Sequence, residues 1–215
     1  MGESLSKAII FDFDGTLVDS EITIYQCFQN ITNYLAPERI DYAKNILIGP
    51  PLRDTASEIL GQNHQDQLDE FVKLFIEMHD KNAIKNTKPY PDVIDTLKKL
   101  NSKKVLMAIA TNKRHAPTIK LINHYNLQDY FITIECSDDK NFIRNKDEMI
   151  QDILNKDKNF YKAFFIGDTV NDGLSANLSE LNFIKADYGY GRDQDWSKVN
   201  VKQGIQNFSE ILQFI

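Results

Sequence analysis

The sequence predicts an α/β fold: a Rossmann-like parallel sheet with helices on both faces, plus an inserted all-helical segment. Two observations predict the sheet. Short, continuously apolar runs alternate with stretches whose apolar residues recur at helical spacing, and the runs are apolar enough for strands covered on both faces. A third observation predicts the insertion, because one long gap between strand candidates contains only helical patterns.

Five short apolar runs are the strand candidates. They occupy residues 8–11, 105–110, 131–136, 163–166 and 183–186. Apolar residues at helical spacing follow the strands, at 93–100, 119–125 and 149–154, and the end of the chain, 205–215, is expected to be a terminal helix. This alternation favours a parallel sheet over an antiparallel one.

The gap after residue 11 is far longer than a crossover, which needs about a dozen residues. Helical patterns fill it, and their strongest stripe, Leu68, Phe71, Val72, Phe75 and Met78, is expected to pack into a core. We therefore expect an α/β core formed by residues 1–16 and 87–215, and a helical cap formed by residues 17–86.

Composition narrows the classes of partner. The 215 residues carry 25 basic and 31 acidic side chains, a formal charge of −6, so we expect neither nucleic acid nor membrane as a partner. The two cysteines, Cys27 and Cys136, lie in apolar stretches and are expected to be buried free thiols. The chain shows no pattern of a signal peptide or a membrane span, so we expect a cytoplasmic protein, monomeric or homodimeric.

Two carboxylates follow the first strand directly. Asp12 and Asp14 are two residues apart, so in extended backbone they point the same way, beyond the carboxyl end of the strand, where open α/β sheets bind ligands. Close carboxylates repel, and the pair therefore calls for a cation or a proton. A plain acidic turn is the alternative for such a short motif.

A second acidic cluster follows the strand at 163–166. Asp168 would stand at the same sheet edge as Asp12, and Asp172 lies one helical turn further on. Oxygen ligands from separate strands, without histidine or cysteine nearby, suit Mg²⁺. A helix cap is the alternative role for Asp168.

Two weaker signals complete the set. Thr111 and Asn112 follow the strand at 105–110 and could donate hydrogen bonds to phosphate oxygens, although taken alone this segment favours a helix cap. Lys146 precedes a helical pattern and could neutralise both Asp12 and a phosphate, or could be an ordinary surface lysine.

Together the four segments resemble the signature of the haloacid dehalogenase superfamily. Residues 12–20 resemble its first motif, Thr111-Asn112 the second motif, Lys146 the third and residues 167–172 the fourth. The motifs occur in the same order, and the resemblance covers essentially the whole chain. Within the superfamily the chain is similar to the phosphoglycolate phosphatase-like branch, whose members carry a helical cap directly after the first motif.

The resemblance implies roles for the acids. Asp12 would be the nucleophile that accepts the phosphoryl group, and Asp14 would protonate the leaving group and then activate water. Mg²⁺ would be held by Asp12, the backbone carbonyl of Asp14, and Asp168, with Asp172 orienting this shell.

The resemblance also implies a substrate site. Thr111, Asn112 and Lys146 would hold the phosphate oxygens. The family usually has proline after the third-motif lysine, whereas Asp147 follows Lys146, so Lys140 is the alternative lysine. In the cap, Arg53 is our candidate for a contact with a carboxylate of the substrate, and a solvated helix charge is the alternative.

The resulting hypothesis is a Mg²⁺-dependent phosphomonoester hydrolase that acts on a small phosphorylated metabolite such as phosphoglycolate. A sugar-phosphate mutase similar to β-phosphoglucomutase, or a nucleotide phosphatase or pyrophosphatase, could use the same fold. A catalytically silent phospholigand-binding protein is the non-enzyme alternative, although a mere binder does not need a nucleophile. A dinucleotide-binding oxidoreductase is excluded, since no glycine-rich turn follows the first strand.

Overall fold

The computed structural model describes residues 8–139 and 144–215, which form a six-stranded parallel sheet and a two-stranded antiparallel pair. The strands are β1 (Ala8–Phe11), β2 (Val18–Asp19), β3 (Lys88–Pro89), β4 (Leu106–Thr111), β5 (Thr133–Cys136), β6 (Phe164–Gly167), β7 (Asn182–Ala186) and β8 (Val201–Ile205). The large sheet has the order β5-β4-β1-β6-β7-β8, and β2 pairs with β3. The predicted parallel α/β sheet is confirmed.

Eight α-helices accompany the strands within the described ranges. They are α1 (Glu21–Leu35), α2 (Ile40–Ala43), α3 (Leu52–Leu60), α4 (Leu68–Asn82), α5 (Val93–Ser102), α6 (His115–His124), α7 (Lys146–Lys156) and α8 (Val170–Leu178). None of these helices is both long and apolar enough to cross a bilayer.

The sheet separates two hydrophobic clusters. Along β1, Ile9 and Phe11 belong to one cluster with α5 and α6, whereas Ala8 and Ile10 belong to the other with α7 and α8. Alternate side chains of a strand point to opposite faces, so a strand covered on both faces must be apolar throughout. This burial explains the uninterrupted apolar run at residues 8–11.

The strand β1 lies in the middle of the sheet, between β4 and β6. Phe11 is in register with Ile109 of β4 and with Ile166 of β6, so the three strands end side by side. The backbone N–H of Asp12 continues the ladder by donating to the carbonyl of Ile166 at 2.8 Å. Side chains that follow these three strands therefore converge at one edge of the sheet.

The helices α1 to α4 form a third hydrophobic cluster of their own, which includes Phe28, Ile31, Ile59 and Phe71. The chain leaves the large sheet through β2 and returns through β3, which are paired antiparallel. This arrangement agrees with the expected helical insertion, while the domain boundaries at residues 17 and 86 stay a prediction.

The expected helix at 205–215 was wrong in part. Ile205 ends strand β8, and only Phe208–Phe214 is helical, as a 3₁₀ segment. The strand was missed because it lies at the edge of the sheet, where Lys202 and Gln203 are exposed and interrupt the apolar run. The buried thiols expected at Cys27 and Cys136 are confirmed, and both are free.

Candidate active site

Three acids meet at the sheet edge where β1 and β6 end. Carboxylate oxygens of Asp12, Asp168 and Asp172 all lie within 4.8 Å of one another, and all three residues are buried. Asp12 directly follows β1, Asp168 directly follows β6, and Asp172 lies in the first turn of α8. The structure thus brings together three of the predicted site residues from segments more than 150 residues apart in the chain.

Each of the two carboxylates after β6 is held by one backbone N–H and one threonine hydroxyl. Asp168 accepts hydrogen bonds from the backbone N–H of Tyr190 at 2.7 Å and from Oγ1 of Thr16 at 3.1 Å. Asp172 accepts from the N–H and the hydroxyl of Thr169 at 2.9 and 2.7 Å, as part of the capping box that begins α8. These bonds fix the direction of both carboxylates.

The turn after β1 requires glycine. Gly15 has a φ of +83°, a region that side-chain-bearing residues rarely adopt. A Cβ added there would stand only 2.2 Å from Oδ2 of Asp168. The glycine therefore lets the chain turn away from the sheet and lets the backbone after Asp14 approach Asp168 closely.

Lys146 provides the positive charge at this centre. It begins α7, is buried, and its Nζ lies 2.6 Å from Oδ1 of Asp12 and also donates to Asp172. Burial alone would lower the pKa of Lys146, but the charges of Asp12 and Asp172 raise it above its ordinary value, so the amine stays protonated. The alternative lysine, Lys140, lies outside the described residues.

The acids together carry more charge than this one lysine balances. Burial, reinforced by the charge of Asp172, raises the pKa of Asp12 to about 7 although Lys146 opposes the shift, and burial likewise raises the pKa of Asp168. A divalent cation would remove this repulsion. Three buried carboxylates within reach of one point offer the hard oxygen ligands that Mg²⁺ prefers, so the residues fit such an ion.

The second predicted carboxylate, Asp14, faces a different partner. Both of its oxygens accept hydrogen bonds from Nζ of Lys113, at 3.1 and 3.0 Å, and Oδ1 also accepts from Oγ of Ser20 at 2.6 Å. Lys113 in turn donates to Nε2 of His79 at 3.3 Å. Burial, followed by the charge of Lys113, lowers the pKa of His79, which keeps the ring neutral and able to accept this bond.

These partners of Asp14 were missed by the sequence reasoning. Lys113 directly follows the predicted pair Thr111-Asn112, so its position in the sequence could have indicated that it lies near the site. His79 lies one turn beyond Phe75 on the apolar stripe of α4, and only packing of the helices against the sheet brings it to Lys113. Ser20 ends the first motif and gave no separate signal.

Thr111 and Asn112 lie at the end of β4 and line the same cavity as Asp12 and Lys146. The hydroxyl of Thr111 accepts from the backbone N–H of Lys113 at 3.1 Å. The amide of Asn112 donates to the carbonyl of Gly49 at 3.1 Å, which joins the sheet edge to the loop before α3. The structure therefore brings both residues to the site.

Arg53 is not brought to the site. Its guanidinium pairs with Asp69 at 2.8 Å, its side chain is 60% exposed, and within the described chain it is not among the residues that line the cavity. Its neighbours Leu52 and Thr55 do line the cavity, because residues three apart share a helical face whereas the next residue is turned away. The proposed cap contact of Arg53 is therefore withdrawn.

The cavity has a volume of about 110 Å³ and lies between the sheet edge and the helices α1, α3 and α4. The stripe on α4 was expected to pack only into a core. Phe71 does so, but Phe75 is half-buried and forms part of the cavity wall. On a scale where one water needs about 10–15 Å³, the cavity can hold a ligand the size of a small metabolite.

A parallel sheet that gathers acids, a lysine and a cavity at its carboxyl edge has the arrangement of an α/β enzyme site. The family is that of the haloacid dehalogenase-like hydrolases, to which this chain belongs, because residues 9–186 match the sequence profile of that family. The resemblance noted in the motifs is confirmed.

Individual relatives are similar over nearly the whole chain. The phosphoglycolate phosphatase of Aquifex aeolicus is 30% identical over 191 residues, which cover 86% of each chain. The phosphoglycolate phosphatase of Psychrobacter arcticus is 26% identical over 222 residues, 97% of this chain and 95% of that protein. A solved haloacid dehalogenase-like hydrolase from Streptococcus pneumoniae superposes with a TM-score of 0.81 at 25% identity, covering 96% and 97% of the two chains. The expectation of a phosphatase of this family is confirmed.

Proposed function

We propose that this phosphatase hydrolyses small phosphomonoesters with the help of Mg²⁺ and through a phosphoaspartate on Asp12. The observation that carries the proposal is the meeting of Asp12, Asp168 and Asp172 within 4.8 Å, with Lys146 in contact with Asp12. A nucleophilic carboxylate that faces an anionic phosphate needs positive charge beside it, and this arrangement supplies both a lysine and a set of ligands for a cation.

In the first step, an oxygen of the Asp12 carboxylate attacks phosphorus in line, and the bond from phosphorus to the leaving oxygen breaks. Asp14, in its acid form, gives its proton to the departing alkoxide. In the second step a water attacks the acyl phosphate, Asp14 takes up a proton from that water, and the carboxylate of Asp12 is released with inorganic phosphate.

Asp12, the backbone carbonyl of Asp14, and Asp168 would hold Mg²⁺, and Asp172 would orient these ligands. When bound, the ion would neutralise charge on the phosphoryl group and on the acids around it. Thr111, Asn112 and Lys146 would hold the remaining phosphate oxygens and so keep phosphorus in line with Asp12.

We also propose that residues 17–86 act as a cap over this site. Three contacts join the inserted helices to the sheet edge: Asn112 to Gly49, Lys113 to His79, and Arg114 to Asp80. Closure on these contacts would exclude water while the phosphoaspartate forms, and opening would release the product alcohol.

The substrate is proposed to be a small phosphorylated metabolite. The names of the curated relatives make phosphoglycolate the first compound to test. A nucleotide is larger than such a metabolite, whereas pyrophosphate is about the size of phosphoglycolate and stays open as a substrate. A sugar-phosphate mutase would return the phosphoryl group to a sugar hydroxyl instead of water. Two buried free thiols are typical of a reducing compartment, so we propose that the reaction takes place in the cytoplasm. We propose separately that the protein is a monomer or a homodimer.

A phosphate-release assay over a panel of phosphomonoesters, with Mg²⁺ or with a chelator, tests the proposal. We expect release only with Mg²⁺, and loss of at least about a thousandfold in kcat for Asp12→Asn, since the amide cannot accept the phosphoryl group. Asp195→Asn, at an exposed acid outside the cavity, is the matched control and should behave as wild type. Activity that survives Asp12→Asn would remove the nucleophile. Binding without turnover would favour the silent phospholigand-binding protein.

A further inference from the structure

The wall of the cavity that faces the phosphate site is largely apolar. The inserted helices and the loop before α3 build it from Ile24, Phe28, Ile48, Leu52 and Phe75. Three of these five, Ile24, Phe28 and Ile48, are buried, and Leu52 and Phe75 are half-buried. Since Asp12 and Lys146 lie on the sheet side, this wall is where the organic part of a bound phosphomonoester would rest.

Aromatic rings form a continuous part of this wall. The ring centroids of Phe28 and Phe75 are 4.9 Å apart, and the ring of His79 stacks on Phe75 at 5.3 Å with an interplanar angle of 10°. His79 is neutral and its Nε2 is already bonded to Lys113. The row therefore contributes a continuous aromatic surface to the cavity wall.

The cations that line the cavity all have acidic partners within the described residues. Lys113 binds both oxygens of Asp14, Arg114 binds Asp80, and Lys146 binds Asp12 and Asp172. A negatively charged leaving group would have to share one of these cations with its carboxylate. Burying a further anion beside an ion pair whose charges already cancel is unfavourable.

Neutral donors on the same wall are also engaged. The hydroxyl of Thr55 donates to the carbonyl of Pro51 at 3.3 Å, one turn back on α3. Burying a polar group without a partner carries a free-energy penalty, and the wall offers few partners for one. Apolar substituents, by contrast, gain from leaving water for such a surface.

We propose that the leaving group of the substrate is small, uncharged and apolar, so that the preferred substrates are phosphate monoesters of alkyl or aryl alcohols. This inference rests on the proposed function and refines it, because the same cavity would hold the phosphoryl group against Asp12. Phe28, Leu52 and Phe75 are the residues that determine the preference. A leaving group with its own carboxylate, such as glycolate, is the opposite case.

A matched pair of substrates tests this. Isobutyl phosphate carries two methyl groups where phosphoglycolate carries two carboxylate oxygens, so the pair differs in charge and hardly in shape. We expect kcat/KM for isobutyl phosphate to exceed that for phosphoglycolate by at least about tenfold, a typical effect of hydrophobic pocket contacts. The carboxylate makes glycolate the better leaving group intrinsically, so this bias acts against the expected result. An equal or higher kcat/KM for phosphoglycolate overturns the inference.

Methyl phosphate separates this inference from the proposed function. If the enzyme hydrolyses none of the three esters with Mg²⁺, the proposed function itself fails. If it hydrolyses methyl phosphate and prefers phosphoglycolate to isobutyl phosphate, only the inference about the leaving group fails. The wild-type protein alone therefore decides between these outcomes.

A variant of the wall then identifies the residue responsible. We expect Phe75→Ala to lower the ratio of kcat/KM for isobutyl phosphate over methyl phosphate by about tenfold. Val72→Ala is the control, because Val72 packs on the same helix in the hydrophobic cluster without lining the cavity, and it should leave that ratio unchanged. An unchanged ratio in Phe75→Ala contradicts the assignment of Phe75, and the use of a ratio within each variant removes effects of partial unfolding.

Discussion

The Nζ of Lys146 lies 2.6 Å from Oδ1 of Asp12 and also donates to Oδ1 of Asp172, so one buried lysine bridges two of the three clustered acids. The third acid, Asp168, has hydroxyl and backbone N–H donors but makes no direct bond to the lysine in the described structure. The positive charge of Lys146 is therefore in direct contact with Asp12 and Asp172 but not with Asp168. The side that faces Asp168 is where an additional cation would complete the balance.

The first prediction concerns this lysine. Lys146→Met leaves Asp12 and Asp172 buried without their cation, so we expect a loss of about 3–5 kcal/mol in the free energy of unfolding at pH 8, in the presence of a chelator. The loss should be smaller at pH 5, where Asp12 can protonate. Turnover should fall by at least about a hundredfold. Urea denaturation at the two pH values measures the first effect.

Lys156→Met is the matched control, since Lys156 belongs to the same helix α7 but is half exposed and pairs with Glu135. Glu135 is buried but keeps its bond to Arg144, so removing this half-exposed lysine should cost only about 1 kcal/mol. Equal losses in the two variants would contradict the role given to the bridge between Asp12 and Asp172.

The second prediction concerns pH. Burial raises the pKa of Asp12 from 3.8 to about 7, so in the metal-free protein the acid form is favoured on folding. This contribution to stability is fully present below pH 3.8 and is lost as pH rises through about 7. A cation needs the carboxylate, so the increase in Tm caused by Mg²⁺ should be small at pH 5 and large at pH 8. Thermal scans with Mg²⁺ and with a chelator measure it.

Asp12→Asn removes the titrating group and should make the chelator scans less dependent on pH. A Mg²⁺-induced change in Tm of equal size at pH 5 and pH 8 would count against a site built on Asp12 and Asp168, whose pKa values burial raises together.

How much of this site could be predicted from the sequence depends on chain geometry. Asp12, Thr111 and Asp168 could be predicted, because each ends or directly follows a strand, and parallel strands that lie side by side end at a common edge. Lys146 was weaker as an isolated signal, and only the order of the four motifs singled it out. Its contact with Asp12 joins residues 134 positions apart, which local patterns cannot reveal.

Other parts of the structure depend on packing that the sequence pattern does not encode. The bond from Lys113 to His79 exists only because α4 lies over the end of β4. Arg53 was placed in the cap by its position after a motif, but rotation about α3 turns it outward to Asp69. Strand β8 was missed because an edge strand exposes polar side chains and loses the continuous apolar run.

The third prediction concerns the glycine beside Asp168. Gly15→Ala combines an unfavourable φ of +83° with a Cβ 2.2 Å from a carboxylate oxygen that Thr16 and Tyr190 hold in place. We expect the added Cβ to displace Asp168 and thereby to abolish the Mg²⁺-induced rise in Tm. Isothermal titration with Mg²⁺ alone measures the loss directly.

Gly61→Ala is the control for backbone strain. Gly61 also has a positive φ, +64°, but a Cβ there meets only the end of the Arg39 side chain, at 3.4 Å. We expect a loss of about 1–3 kcal/mol in stability and unchanged Mg²⁺ binding. If both variants bind Mg²⁺ as the wild type does, the close approach of Gly15 to Asp168 has no part in forming the site.

The last prediction concerns the contact between the inserted helices and the sheet edge. Asp80, near the end of α4, accepts a hydrogen bond from Arg114 at the start of α6. Burial raises the pKa of Asp80, but the bonds and charges of His79 and Arg114 outweigh this effect and lower the pKa below its ordinary value. Asp80→Asn weakens this pair without altering a residue that lines the cavity. A partly exposed ion pair contributes about 0.5–1 kcal/mol, so kcat/KM should fall about two- to fivefold if the contact stabilises the closed form.

Asp69→Asn is the control on the same helix, α4. It breaks the exposed pair with Arg53 of α3 and should have no effect, since neither partner faces the site. Because salt screens exposed charges, raising the ionic strength should reduce the difference between wild type and Asp80→Asn and leave Asp69→Asn unchanged. A loss of equal size in the two variants would mean that α4 acts through its general charge, and that the bond between Asp80 and Arg114 does not control closure.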